Sequence, residues 1–323
     1  MTIDTKKGTS RIGLVEIGSR SIRYLVVDVS GHFSFSPVEV LTVSYSEIGL
    51  IPSILSLENA NLLNREVEKI LVRLRQRDCD RTKVYGTALC RALDGKYPGV
   101  LAAQIDRIPA EEEALASWVA AFLCEDPSLE KEMTAIDLGN GSTEIVSAFW
   151  DGKTVSKVKA CSVDIGSEIL VSKFQKLGSK YSNAIRSEAV SVAAVIADSG
   201  ILQQHNQSPY LLGGVATKIG WLSRRGEDVR ATYRPELVNG VEIPTLHLEE
   251  LYRVVFAAYS KNPGVAAQII DDRKGSSAEV LRVLSGAPFL YELCRAVSAG
   301  KTFKVSGYGV RHGMAFLLRQ DLI

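Results

Sequence analysis

One ten-residue pattern occurs twice in this chain, as LVEIGSRSIR at Leu14–Arg23 and AIDLGNGSTE at Ala135–Glu144, and it constrains the fold more than any other feature. Aligned, Glu16 falls on Asp137, Gly18 on Gly139, Ser21 on Ser142 and Arg23 on Glu144. Each copy runs from an apolar stretch through one carboxylate and a glycine turn bearing a hydroxyl into a second apolar stretch. That order suits a β-hairpin whose tight loop offers backbone N–H groups and a hydroxyl to a phosphate. The carboxylate at the strand end suits Mg2+, a hard cation that prefers oxygen ligands. Two copies about 120 residues apart predict two similar halves facing each other across a cleft.

The flanking sequence repeats the same plan. Arg11–Gly18, Ile22–Val29 and Val38–Val43 carry β-branched and aromatic residues between Gly or Ser turns, which predicts a three-stranded meander. Asn61–Arg77 places Leu62, Leu63, Val67, Ile70, Leu71 and Leu74 at helical spacing. Lys83–Thr87 reads as a short strand, and Pro109 opens a helix with Glu111, Glu112 and Glu113 in its first turn. The acidic stretch Glu125–Glu132 reads as the crossing between halves. Strands Thr134–Leu138, Glu144–Trp150 and Thr154–Ala160 follow, with an Asp151-Gly152 turn, then helices. Tyr210–Leu212 and Thr302–Val305 are further short strands ending in Gly213-Gly214 and Ser306-Gly307, and Val310–Leu318 closes the chain as an apolar helix. The expected architecture is a duplicated α/β fold with mixed sheets covered by helices.

Composition narrows the function classes. With 38 basic and 37 acidic residues the net charge is +1, so no global field draws the chain to nucleic acid or to a membrane surface. No apolar run approaches the ~18 residues of a membrane span. Five cysteines without metal spacing read as reduced thiols of a cytoplasmic protein, and the polar N-terminus lacks a signal core. The four histidines are isolated, which argues against a histidine metal site.

At these motifs the chain resembles the exopolyphosphatase/guanosine pentaphosphate phosphatase (Ppx/GppA) family of the actin–Hsp70–sugar kinase superfamily, over roughly residues 11–318. The family's D-x-G-S-N-S-x-R loop corresponds to Glu16–Arg23, its A-T-S-A-L-R motif to Gly86–Arg91, and its I-S-G-x-E-E-A signature to Ile108–Ala114. D-I-G-G-G-S-T-E-[LI] corresponds to Asp137–Ile145, a G-G-T-A-T turn to Gly213–Thr217, and S-D-x-G-L-R-E-G to Ser306–Gly313.

The resemblance implies two ribonuclease H-like (actin-like ATPase) domains with mixed five-stranded sheets and a cleft between them. Their expected extents are 1–124, with the terminal helix 308–323 packing back onto it, and 125–307. A hinge around Glu125–Glu132 and Val305–Gly309 is expected to open and close the cleft, and the extra helical domains of longer relatives are not expected. The implied function is release of terminal orthophosphate from inorganic polyphosphate, and of phosphate from guanosine pentaphosphate, with Mg2+ or Mn2+. Glu113 is implied as the group that activates water, and Glu16, Asp137 and Glu144 as metal ligands. Gly18, Ser19, Arg20, Ser21, Arg91, Gly139, Asn140, Gly141, Ser142, Thr143, Gly213, Gly214 and Arg311 are implied in phosphate binding. Nucleic acid and membrane are not expected partners, and a homodimer is left open.

Read without the resemblance, Glu111–Glu113 complement a helix N-terminus, Arg91 and Arg311 are surface charges or salt-bridge partners, and Ser21 and Ser142 bond locally within their hairpins. The chain also departs from the family pattern. Glu16 stands for an Asp, Arg20 for an Asn, Asn140 for a glycine, and Gly307 and His312 for an Asp and a Glu. These departures favour an alternative, a catalytically weak polyphosphate- or nucleotide-binding regulator of the same fold. A third reading, an ATP-dependent kinase, is weakened by the E-E-A segment, which points to water as acceptor.

Overall fold

The computed structural model describes residues 8–30, 35–45, 56–97, 105–126, 128–177, 180–201, 208–225, 235–270, 277–297 and 301–323. They fall into two compact units, Met1–Val119 with Val310–Ile323, and Ala120–Gly309.

In unit 1, β1 (Ser10–Ile17), β2 (Ser21–Val29) and β3 (Phe35–Ser44) form an antiparallel meander. Strands β4 (Arg81–Gly86) and β5 (Asp106–Arg107) add to it in parallel, giving the order β3-β2-β1-β4-β5. Strand β1 is buried on both faces from Ile12 to Ile17, as expected of an apolar strand covered on both sides. Val15 and Ile17 join a core with the apolar stripe of α1 (Leu57–Leu74): Ala60, Leu63, Val67, Ile70, Leu71 and Leu74. That helix starts four residues before the expected Asn61, because the Ser56 hydroxyl caps it by accepting from the Asn59 amide at 3.2 Å. At the sheet edge, Pro37 sits in β3 beside a register shift at Val26/Val27, which blunts the edge against further pairing.

Helix α2 (Ala88–Lys96) follows β4, and α3 (Ala110–Phe122) begins directly after Pro109. The closing helix α10 (Val310–Arg319) packs on β1, β2 and β4. A side chain at Gly313 would collide with the Ala116 backbone of α3, so the two helices meet where one residue has no Cβ.

Unit 2 repeats the plan. Strands β6 (Lys131–Leu138), β7 (Thr143–Trp150) and β8 (Val155–Val163) form the second meander, with β9 (Tyr210–Leu212) parallel to β6 and β11 (Thr302–Val305) parallel to β9. The sequence suggests five strands here too, but the described residues form six, in the order β10-β11-β9-β6-β7-β8. The extra strand β10 (Val241–Pro244) runs antiparallel to β11 and satisfies its outer edge, while its own Pro244 closes the ladder. Strand β6 also begins at Lys131, paired with Trp150, so it takes the last two residues of the expected Glu125–Glu132 crossing.

Helix α9 (Ser277–Val297) is the centre of the helical layer, packed against α4 (Ser167–Leu177), α5 (Tyr181–Asp198), α6 (Gly214–Arg225), α7 (Thr245–Lys261) and α8 (Pro263–Ile270). No described helix is long and apolar enough to cross a membrane.

Candidate functional site

The second hairpin carries two acids side by side. Asp137 ends β6 directly opposite Glu144 of β7, and both are buried, at 6% and 1% exposure. Opposed like charges cost stability unless something offsets them. Part of the offset is local, since Glu144 Oε1 accepts from Ser142 Oγ at 2.6 Å and from Ser162 Oγ at 3.0 Å.

Between the two acids lies the Gly139–Ser142 loop, held from behind by the first turn of α4. The Ser167 amide donates to Gly139 O at 2.9 Å, and the Glu168 amide to Asn140 O at 3.1 Å. Ser167 Oγ donates to Asn140 Oδ1 at 3.2 Å, which gives the asparagine a bonding role where the family pattern has glycine. Gly166 lies so close to Asn140 that any Cβ there would collide with its backbone. With its carbonyls drawn to α4, the loop leaves the Asn140, Gly141 and Ser142 amides without a protein acceptor among the described residues. Successive free amides of this kind form an anion-binding concavity.

Thr143 takes a different part from the one expected of a phosphate ligand. It is fully buried, and its hydroxyl donates to the Ile165 carbonyl. Gly213, at φ +92°, lies against the end of β6: a Cβ would collide with Leu138 O and come within 3.1 Å of Asp137 Oδ1. Gly214 then opens α6, and a Cβ on it would meet only open space. The positive end of this helix therefore lies next to Asp137 in the same sheet.

The first hairpin pairs its strands in the same antiparallel register and carries different charges. Its loop is also held by its carbonyls, with the Tyr45 amide donating to Arg20 O at 2.9 Å and Tyr45 Oη to Gly18 O at 2.6 Å. The position matching Glu144, however, is Arg23, so the cross-strand pair is Glu16 with Arg23. Glu16 Oε1 lies 3.4 Å from Arg23 Nη1, and Oε2 lies 3.4 Å from Arg311 Nε.

Of the three acids opening α3, Glu111 is exposed, Glu112 reaches Lys83 at 3.3 Å, and Glu113 is buried. Glu113 Oε2 is held at 3.1 Å by Arg91 Nη1, which also donates to Ile108 O at 2.9 Å. Arg91, expected as a phosphate ligand, thus fixes the position of Glu113. The two remaining departures are used locally: the Gly307 amide donates to Asn239 Oδ1 at 2.6 Å, and His312 packs edge-on against Phe35. All five cysteines are free thiols, and burial pushes Cys90 and Cys124 up to about 12, out of the reactive range.

The fit to a divalent cation differs between the hairpins. Among the described residues no three His, Cys, Asp or Glu side chains gather as a ligand cage. Mg2+ does not need one, because it keeps several waters and takes one or two carboxylates together with substrate phosphates. The adjacent Asp137 and Glu144 suit that requirement. Glu16 does not, because its two oxygens already face guanidinium groups.

The motif reading omitted several supporting residues. Tyr45, Ser162 and Ser167 position the loops and acids from outside the repeated pattern.

No protein-family model matches the sequence, and no curated protein matches it. Solved structures do. A Ppx/GppA family member from Aquifex aeolicus is 18% identical, with 95% of this chain and 97% of that chain covered and a TM-score of 0.67. A structure described as an exopolyphosphatase-like protein is 17% identical, covering 96% and 98% at a TM-score of 0.67. An exopolyphosphatase from Cytophaga hutchinsonii is 14% identical, covering 97% and 99% at a TM-score of 0.71. Along nearly its whole length, the chain has the fold of the Ppx/GppA structures.

Proposed function

We propose that the chain is a phosphoanhydride hydrolase of exopolyphosphatase type, releasing terminal orthophosphate from inorganic polyphosphate, with guanosine pentaphosphate as a second substrate. The observation that supports this reading is the buried Asp137–Glu144 pair flanking a loop whose Asn140, Gly141 and Ser142 amides have no protein acceptor among the described residues. Hydrolysing a phosphoanhydride requires charge neutralisation, an oriented water and a cradle for the phosphoryl oxygens. Asp137 and Glu144 would hold Mg2+ or Mn2+, which supplies Lewis-acid stabilisation when bound. The Asn140, Gly141 and Ser142 amides and the α6 N-terminus at Gly213-Gly214 are the cradle of this reading. Glu113 takes the proton of the attacking water, with Arg91 keeping its carboxylate in one orientation.

The test is phosphate release from long polyphosphate, tripolyphosphate and guanosine pentaphosphate, with and without Mg2+ or Mn2+. Wild type is expected to release phosphate in a metal-dependent manner, and Glu113→Gln to keep its melting temperature while losing at least a hundredfold in rate. Full activity in that variant removes Glu113 from the mechanism. A second reading, a binding protein without turnover, draws on the conversion of one loop's acid pair into the Glu16–Arg23 ion pair. Tight tripolyphosphate binding with no release over hours decides for it.

A further inference from the structure

The loop between Asp137 and Glu144 is gripped by the connection that leads into α4. The Thr143 hydroxyl donates to Ile165 O, the Ser167 amide to Gly139 O, the Glu168 amide to Asn140 O, and the Ser167 hydroxyl to Asn140 Oδ1. Ser167 makes two of these bonds from a buried position.

The two backbone bonds set the direction of two other groups. Gly139 C=O and Asn140 N–H belong to one planar amide, and Asn140 C=O and Gly141 N–H to the next. No described peptide bond is cis, so in each amide the N–H points opposite to the C=O. With both carbonyls held by the first turn of α4, the Asn140 and Gly141 N–H groups are directed away from that turn, and neither has a protein acceptor among the described residues. A bond accepted at the carbonyl also polarises the amide and strengthens its N–H as a donor.

The angle between the two amide planes is set at Asn140, the residue that joins them. Positive φ among the described non-glycine residues is confined to Asp78, Lys157 and Asp321. Asn140 therefore does not replace a glycine for its tolerance of left-handed backbone. What its side chain adds is the bond from Ser167 Oγ at 3.2 Å, which ties the joining residue itself to α4.

We infer that Ser167 is a positioning residue for this loop: with its amide on Gly139 O and its hydroxyl on Asn140 Oδ1, it holds the Asn140 and Gly141 N–H groups as a fixed pair of donors for one phosphoryl group. The inference rests on the reading of the loop as a phosphate cradle. It adds a residue outside the repeated motif, and a side-chain pairing that the family pattern, with glycine at position 140, lacks. Donors fixed before the ligand arrives cost less ordering on binding.

The experiment is calorimetric titration of the full chain with a methylene-bridged, hydrolysis-resistant tripolyphosphate in Mg2+, for wild type, Ser167→Ala, Asn140→Ala and the double variant. Each single variant is expected to bind about fivefold more weakly, the worth of one neutral hydrogen bond, and the double variant no more weakly than the worse single. The amide resonances of Asn140 and Gly141 supply a signature that a merely structural role would leave alone. Their downfield shift on saturation with the analogue should be smaller in Ser167→Ala than in wild type. Ligand-free melting temperatures check folding, and if Ser167→Ala does not fold, Asn140→Ala decides by affinity. Affinity within twofold of wild type in the deciding variant, unchanged amide shifts, or losses that multiply in the double variant overturn the inference. So does a wild type that releases phosphate from polyphosphate in Mg2+ yet does not bind the analogue, and the hydrolase reading then stands. If wild type neither binds the analogue nor releases phosphate, both fall.

Discussion

Glu125 offers a prediction whose size can be worked from the structure. It follows α3 and accepts from the ends of three strands in unit 2: Lys131 of β6 at 2.7 Å, Tyr210 Oη of β9 at 2.6 Å and Lys304 of β11 at 2.7 Å. Burial alone would raise its pKa, but hydrogen bonds from Lys131, Lys304 and Tyr210 outweigh it and bring the carboxyl from 4.5 to about 2. A depressed carboxylate contributes stability above its unfolded pKa, and that contribution is lost as pH falls through the folded one. The gap between 4.5 and about 2 corresponds to roughly 3 kcal/mol at neutral pH, falling to about 1 kcal/mol at pH 3. Glu125→Gln should therefore cost unit 2 about 3 kcal/mol at pH 7 and less than half of that at pH 3. Urea unfolding followed by tryptophan fluorescence at both pH values reads the difference, since Trp150 and Trp221 are buried in this unit. A variant within 0.5 kcal/mol of wild type at pH 7, or a deficit that does not shrink on acidification, refutes the reasoning.

Two further perturbations test the loops. Gly213→Ala places a Cβ against Leu138 O at a backbone angle of φ +92° and should destabilise unit 2 by roughly 2–4 kcal/mol, lowering Tm by about 5–10 °C; a Tm within 2 °C of wild type shows that the turn accommodates a side chain. Tyr45→Phe removes the hydroxyl that holds Gly18 O and should cost about 1 kcal/mol of stability. The same variant should weaken tripolyphosphate binding about fivefold by loosening the first loop, and unchanged affinity would separate Tyr45 from binding.

The strands and turns that position the loops were legible because burial on both faces demands continuous apolar runs, and each loop demands glycine. Tyr210–Leu212 and Thr302–Val305 could be read to the residue for that reason. Strand β10 could not: Val241–Pro244 is four residues long, has only Ile243 buried, and ends on a proline. The Arg23 contact to Glu16 was available in principle, since hairpin register places the two opposite each other. Arg311 was not available as a partner of Glu16, because 295 residues separate them and only the return of α10 to β1 brings them together. Tyr45 carries no motif at all. What matters is where the end of β3 leaves its hydroxyl.

The comparison of the two hairpins bears on mechanism beyond any single residue. Both loops are built by the same device, carbonyls drawn back by donors from outside the hairpin: Tyr45 in the first, and the Ser167 and Glu168 amides in the second. Carbonyl anchoring is therefore common to the two loops. The flanking pair was not preserved. Asp137–Glu144 is a pair of acids supported by serine hydroxyls, whereas Glu16–Arg23 is an ion pair joined by Arg311. Phosphoryl oxygens accept directly from cationic side chains and can also share a divalent ion with carboxylates. The second hairpin suits metal-assisted contact and the first direct contact to arginine, so exchanging Arg23 for glutamate should convert the first site's preference and make its phosphate affinity depend on Mg2+.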